Sequence, residues 1–207
     1  MVNRMIRRLE FLFDFASPNA YLAYRALPPI LARTGAELEI APCLLGGVFK
    51  ATGNRAPFIA FAEIKGKMDY EMLEIRRFVA KHGLSRFRLN PNLPLNSLML
   101  MRGLIAAQAR DEADAFLEMG LSGMWEEGLK LDDPEVLGQR ITAAGLDARA
   151  LMEAAQSPEI KQRLAEETER AVKRGAFGIP TFFVGDEMFF GKDRLGQVEE
   201  ELLKPAA

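Results

Sequence analysis

Ser17 is the first residue of the sequence whose position suggests chemistry. It lies in the stretch "DFASPNAYLAY" directly behind the apolar run "LEFLF", where a strand should give way to a helix. The C-terminal edge of a strand and the N-terminus of a helix are where α/β sheets bind ligands, and the free amides there stabilise an anion. A serine in this place is also a common helix N-cap. The two roles are compatible, and the residues alone leave both open.

Ser17 has no evident catalytic partner in the sequence. The single histidine, His82 in "VAKHGL", is expected at a helix end ahead of Gly83. Serine-hydrolase chemistry therefore lacks its base. One histidine, one cysteine and scattered carboxylates do not form a ligand cluster, so no metal site is expected. Glu126 and Glu127 are adjacent, and because adjacent helical residues point apart, a solvated face is expected for them.

Pro180 in "GIPTFFVG" interrupts the start of an apolar strand. It is either an ordinary edge-strand proline or the second residue of a cis Ile179-Pro180 bond in a tight bend. A cis bond would expose the backbone N–H and C=O of Ile179 to a ligand that pairs as a short extra strand.

Two further stretches carry polar candidates. In "FFGKDR", Gly191 permits close approach, and Asp193 is expected at the N-terminus of the last helix, where it either caps the amides or holds a ligand ammonium. The stretch "FKATGNRAP" should be a loop that presents Lys50, Asn54 and Arg55, with a solvated loop as the alternative. Farther on, Lys67 and Tyr70 are three residues apart and therefore share one helical face.

The elements that must position these residues follow from the apolar pattern. A buried strand is expected over 9–15, then a helix from about Pro18 that is kinked or split at Pro28-Pro29 and closed by Gly35, then a strand over 36–45. This order predicts a βαβ unit with parallel strands and a right-handed crossover.

The remaining chain divides into a helical block and a closing α-β-β-α segment. Helical periodicity covers 58–82, 96–110, 111–128, 133–143 and 147–156, and the closing segment comprises a helix over 158–175, the strands "IPTFFVG" and "EMFFG" joined by a Gly-Asp turn, and a helix over 193–203. The expected fold is therefore α/β and thioredoxin-like, with residues 1–45 and 156–207 as the thioredoxin-like domain and 46–155 as a large helical insertion.

Composition limits the class of partner and compartment. The 207 residues carry a formal net charge of -2, which gives no long-range attraction for nucleic acid or an anionic membrane, so a small partner is expected. No apolar run approaches the ~20 residues of a membrane span. A lone cysteine, Cys43, and the absence of a recognisable signal peptide predict a cytoplasmic location.

The combination of five motifs resembles the 2-hydroxychromene-2-carboxylate isomerases, which belong with kappa-class glutathione transferases in the DsbA-like branch of the thioredoxin superfamily. The motifs are "FDFASPNAYLA", "TGNRAP", "KMDY", "FGIPTFFVGDEMFFGKDRL" and the helical insertion between them. The resemblance runs from about Leu9 to Leu203. It implies a DsbA-like fold and glutathione as cofactor, held by these residues: Ser17, Asn54, Lys67, Ile179, Pro180, Gly191, Lys192, Asp193 and Arg194.

The resemblance also implies a role for each part of that set. Ser17 and Ala20 stand where disulfide oxidoreductases of this fold hold Cys-x-x-Cys, so this motif performs no redox exchange. Ser17 would instead donate a hydrogen bond to the sulfur of bound glutathione, which serves as the nucleophile. Ile179 would pair with the cysteinyl unit, Asp193 would face the γ-glutamyl ammonium, and Lys67 would reach the glycyl carboxylate.

The implied reaction opens a 2-hydroxychromene-2-carboxylate ring to a trans-o-hydroxybenzylidenepyruvate and returns glutathione unchanged. Lys50, Arg55 and Tyr70 are the candidates to meet a small aromatic carboxylate substrate. Leu95 stands where naphthalene-pathway members carry tyrosine, which predicts a more apolar pocket. The alternatives are a kappa-type transferase or peroxidase and a non-catalytic thioredoxin-fold binding or chaperone module. A homodimer is expected.

Overall fold

One mixed sheet of four strands organises the chain. The computed structural model describes residues 7–204, and its strands are β1 (Arg8–Phe13), β2 (Glu37–Pro42), β3 (Thr181–Val184) and β4 (Glu187–Phe190). Their order is β2-β1-β3-β4, with β1 parallel to β2 and β3 antiparallel to both β1 and β4. The C-terminal ends of β1, β2 and β4 therefore meet the start of β3 at one edge of the sheet.

The apolar sequence of β1 explains its central place. Leu9, Phe11 and Phe13 are fully buried, and the ring of Phe11 lies 4.6 Å from that of Phe182 on the neighbouring strand β3. A strand that is covered on both faces has a nearly continuous apolar sequence. The parallel β1–β2 pair and the β3–β4 hairpin agree with the sequence prediction.

Eleven helices within residues 7–204 surround this sheet. They are α1 (Pro18–Ala26), α2 (Pro28–Thr34), α3 (Leu45–Thr52), α4 (Pro57–Ala60), α5 (Lys67–His82), α6 (Leu98–Gln108), α7 (Ala113–Trp125), α8 (Pro134–Ala143), α9 (Ala148–Ala154), α10 (Pro158–Lys173) and α11 (Leu195–Leu203), with a 3-10 turn at Lys192–Arg194. The split at Pro28 is confirmed, and Gly35 ends α2 in the left-handed conformation, as expected.

The sequence prediction is wrong between residues 43 and 66. The second strand stops at Pro42, and Lys50 lies in α3 rather than in a loop. Tertiary contacts account for this, because the amides of Leu44 and Leu45 are held by Thr168 and Asp14 side chains. The helix expected over 58–82 is broken into α4 and α5 by a turn that ends at Gly66, whose φ is +79°.

The helices between the two halves of the sheet share its core. Trp125, predicted in the core, is fully buried, and its indole N–H donates to the carbonyl of Phe15 at 2.9 Å. The division into a sheet domain of 1–45 and 156–207 and an insertion of 46–155 stays a prediction, and residues 1–6 and 205–207 lie outside the described part. No helix within 7–204 is long and apolar enough to cross a membrane.

Glu126 corrects a second expectation, since its side chain is only 7% exposed rather than solvated. It accepts hydrogen bonds from the hydroxyl of Tyr21 at 2.9 Å and from Arg25 at 2.8 Å. The adjacent Glu127 points away from Glu126, as expected, and pairs with Arg140 instead. Glu126 therefore ties α1 to the end of α7, a long-range contact that no local pattern indicates.

We predict that Gly120→Ala destabilises the fold. A Cβ at this position of α7 would lie 2.4 Å from Cε1 of the buried Phe15 ring, so the variant should lose about 1–3 kcal/mol of unfolding free energy in urea denaturation. Gly196→Ala in α11 is the matched control, because nothing lies within 4 Å of its Cβ. Equal stabilities of the two variants would contradict the tight packing of α7 against Phe15.

Candidate active site

The Ser17 hydroxyl joins two loops at the common edge of the sheet. It is the N-cap of α1, accepting from the amide of Ala20 at 3.2 Å, and it donates to the carbonyl of Ile179 at 3.0 Å. Ser17 is 4% exposed, so both bonds are shielded from water. The predicted cap is thus confirmed, and its partner on the far loop is a contact that sequence spacing could not supply.

The Ile179-Pro180 bond is cis, which decides between the two alternatives for Pro180. Ile179 is buried, and its amide N–H has no hydrogen-bond partner within residues 7–204. The carbonyl of Pro180 accepts from the amide of Gly191 at 2.9 Å. Ser17, Ile179, Pro180 and Gly191 therefore lie next to one another.

Gly191 is required by its backbone conformation. Its φ of +96° and ψ of +152° lie in a region that only glycine readily adopts. This conformation turns the chain from β4 into the 3-10 turn that carries Lys192, Asp193 and Arg194.

Lys192 and Asp193 form an ion pair, which corrects the expectation of a helix cap at Asp193. The ammonium lies 3.0 Å from both carboxylate oxygens of Asp193 and 5.3 Å from the centre of the Phe78 ring. Because Lys192 is buried, its charge needs a nearby counter-charge. The Asp193 side chain is itself 57% exposed, so it also presents negative charge to a ligand.

This pair lines a groove of about 470 Å³ between α2, α5 and the start of α11. Arg33 and Glu199 form another ion pair in its wall. Ser17 is not among the residues that line this groove.

Asn54 also reaches the site, whereas Lys67 and Tyr70 form a separate group. The amide of Asn54 lies 3.5 Å from the carbonyl of Phe177, two residues before Ile179. Lys67 and Tyr70 share one face of α5, as expected, with the ammonium 5.9 Å from the ring. The Lys67 ammonium donates to Glu71 of the same helix at 2.5 Å.

Lys50 and Arg55 are exposed on either side of Asn54 in the chain. Lys50 lies in the last turn of α3, and Arg55 follows that helix. Neither cation has an ion pair within residues 7–204. Both therefore remain available to an anionic ligand.

Two features of the site escaped the sequence analysis. The rings of Phe177 and Phe190 are 4.4 Å apart and remain 43% and 42% exposed beside the cis bond. Exposed aromatic groups of this kind often mark a ligand surface. The side-chain oxygen of Asn19 is buried without a partner in the described chain. The sequence held one signal for the aromatic pair, because Phe177 and Phe190 each directly precede a glycine at the two ends of the stretch "FGIPTFFVGDEMFFG".

The described residues hold no group of three or more His, Cys, Asp and Glu side chains that could bind a metal. His82 ends α5 before Gly83, as predicted, with its ring 4.2 Å from that of Phe78. Burial, and secondarily the charge of Lys81, lowers the pKa of His82. The imidazole is therefore mainly neutral at pH 7 and packs as part of the helix end.

Comparison with known proteins gives consistent results. The chain matches the DSBA-like thioredoxin domain family over residues 8–203. The 2-hydroxychromene-2-carboxylate isomerase of Sphingobium xenophagum is 32% identical over 201 residues, covering 96% of this chain and 100% of that protein. Glutathione S-transferase kappa 1 of Homo sapiens is 27% identical, covering 91% and 88%. A solved 2-hydroxychromene-2-carboxylate isomerase structure has a TM-score of 0.78 at 30% identity, covering 93% of each chain.

We predict that the single thiol does not react in the native protein. Cys43 is fully buried behind the site, and burial raises its pKa to about 12, so the thiol stays protonated at pH 8. A disulfide reagent should therefore label the native chain negligibly and the denatured chain once per molecule. Rapid stoichiometric labelling of the native chain would contradict this assignment.

Proposed function

We propose that this chain is a glutathione-dependent isomerase of a small aromatic carboxylate. It belongs to the DSBA-like thioredoxin domain family and, within it, to the 2-hydroxychromene-2-carboxylate isomerase family. The observation that carries the proposal is the Ser17 hydroxyl, held at the N-terminus of α1 against the cis-proline loop. The reaction we propose is the opening of a 2-hydroxychromene-2-carboxylate to a trans-o-hydroxybenzylidenepyruvate.

The residues at the sheet edge fit a zwitterionic peptide thiol. The amide of Ile179, a buried residue, has no protein partner within residues 7–204, so it is available to donate to a ligand. Asp193 offers an exposed carboxylate to an ammonium, and Lys192 beside it supports a carboxylate. Asn54 adds an exposed amide beside Phe177. We assign glutathione to these groups, with Arg194 and Lys67 completing the set.

Ser17 acts by exchanging its hydrogen bond. Its only hydroxyl proton is donated to the Ile179 carbonyl. Ile179 can accept instead from an N–H of an extended peptide, as an edge strand does. That exchange frees the Ser17 hydroxyl to donate to sulfur without leaving a buried polar group unpaired.

When bound, glutathione supplies a thiol that, once ionised, adds reversibly to an electron-poor carbon and departs unchanged. The N-terminus of α1 and the Ser17 hydroxyl stabilise negative charge at that sulfur. Such environments lower a thiol pKa from about 8.5 by one or more units. The chain's one thiol, Cys43, is buried and protonated, so it does not serve as the nucleophile.

The aromatic pair Phe177–Phe190 provides a surface for the substrate ring beside the thiol position. Aromatic rings pack favourably at offset or edge contacts, with about 0.5–1.5 kcal/mol beyond burial. Lys50 and Arg55 are the exposed cations that we assign to the substrate carboxylate, and we assign Tyr70 to the substrate side as well. Leu95 packs partly against the core, and we assign it to an apolar part of the substrate pocket.

A kappa-type transferase or peroxidase is the second candidate, favoured by the similarity to glutathione S-transferase kappa 1. A non-catalytic binding module is the third.

We further propose a cytoplasmic homodimer, for which light scattering should give twice the chain mass of 23.1 kDa. A mass of a single chain would contradict the dimer and leave the reaction open.

We predict that Ser17→Ala removes activity more than stability. The variant should fold, lose about 1–2 kcal/mol through the missing cap, and turn over about 100-fold more slowly, since one donor to a charged centre is removed. Ser157→Ala is the matched control, because Ser157 caps α10 through the amide of Ile160 far from this edge. Turnover of Ser17→Ala equal to that of Ser157→Ala would contradict the thiolate-stabilising role.

We predict that millimolar glutathione raises the melting temperature, because a ligand that binds only the native state stabilises it by about 2.7 kcal/mol at 100 times its Kd. Absence of a shift would contradict both enzymatic candidates.

Product analysis then separates the isomerase from the transferase or peroxidase. Full recovery of glutathione with an isomerised substrate supports the isomerase, whereas a persistent thioether or glutathione disulfide supports the second candidate.

A further inference from the structure

Asp14 is a buried carboxyl group that the proposed chemistry does not use. It lies just after β1, three residues before Ser17, and is fully buried. One carboxyl oxygen accepts from the amide of Ala16 at 2.8 Å and the other from the amide of Leu45 at 2.7 Å.

The first oxygen fixes the turn that carries Ser17. Asp14 accepts from Ala16 with its side chain and from the amide of Ser17 with its own carbonyl, at 3.1 Å. Both backbone amides that lead into α1 are thus anchored to one residue. Turns of this kind, closed by an Asp side chain two residues back, are locally stable.

The second oxygen fixes the start of α3. The N-cap of that helix, Leu44, has no side-chain cap bond of its own. The amide of Leu45 is instead held by Asp14, and that of Leu44 by the hydroxyl of Thr168 in α10 at 3.0 Å. Helix α3 carries Lys50 and leads into Asn54, so Asp14 connects the turn that carries Ser17 to the segment that leads into Asn54.

We propose that Asp14 is a positioning residue that sets the separation between Ser17 and the segment from α3 to Asn54. The catalytic consequence rests on the proposed function. A carboxylate can accept at both oxygens, whereas an asparagine has one acceptor and one donor group. Burial raises the pKa of the Asp14 carboxyl, and the hydrogen bonds from Leu45, Ala16 and Ser97 act in the opposite sense.

Asp14→Asn tests this role at nearly constant volume. Its single carbonyl oxygen should keep the bond to Ala16, and its amide group should fail to hold Leu45. We expect a folded protein with a lower melting temperature, about 10-fold lower kcat and a raised glutathione Kd, because small displacements of reacting groups are costly.

Thr168→Val is the matched control. It removes the acceptor of the neighbouring Leu44 amide and leaves Asp14 in place. We expect a comparable fall in melting temperature but a smaller loss of kcat than in Asp14→Asn, because the Ser17 turn and the Leu45 amide both stay held by Asp14. An Asp14→Asn kcat within about twofold of wild type, or an equal loss in Thr168→Val, would overturn the positioning role.

Amide hydrogen exchange gives a readout that does not need activity, and its wild-type measurement does not need a folded variant. In the wild-type chain the amides of Ala16 and Leu45 should both be strongly protected, and in Asp14→Asn the protection of Leu45 should fall more. Rapid exchange of Leu45 in the wild type would overturn the proposal. Protected amides in a wild-type chain that neither binds glutathione nor turns over would count against the proposed function alone.

Discussion

A single buried hydrogen-bonding group, the hydroxyl of Ser17, holds the functional edge of this protein together. It caps the first turn of α1 and reaches across to the carbonyl before the cis proline. Because both partners are backbone groups, the contact fixes the relative position of two loops that lie about 160 residues apart in the chain. The remaining candidate groups on Gly191–Arg194 and at Asn54 are placed by their bonds to these same loops.

The residues at this edge lack the thiols that disulfide exchange would need. The start of α1 carries Ser17 and Ala20, and the chain's one thiol, Cys43, is buried with a raised pKa. The edge keeps what a thiolate needs, namely a helix N-terminus and a hydroxyl donor, without supplying the thiolate. Under the proposed function, a thiol that the protein binds rather than supplies reconciles the two observations, and we assign glutathione to this place.

The parts that followed from the sequence are those set by local rules. Pro18 and Ser17 start α1, Gly35 ends α2, and the β3–β4 turn follows its Gly-Asp signal. The wrong or missing parts depend on distant contacts. Helix α3 forms because Asp14 and Thr168 hold its first amides, and Glu126 is buried because Tyr21 and Arg25 surround it. Such partners become visible only once the chain is folded.

The ionisation of glutathione bound to the protein tests the central claim most directly. The ultraviolet absorbance of the thiolate, followed against pH with the protein in excess, reports the pKa of the bound thiol. The account predicts a midpoint at least one unit below the value of about 8.5 for a free thiol in the wild type, and a return toward that value in Ser17→Ala. An unchanged midpoint in the wild-type complex would contradict it.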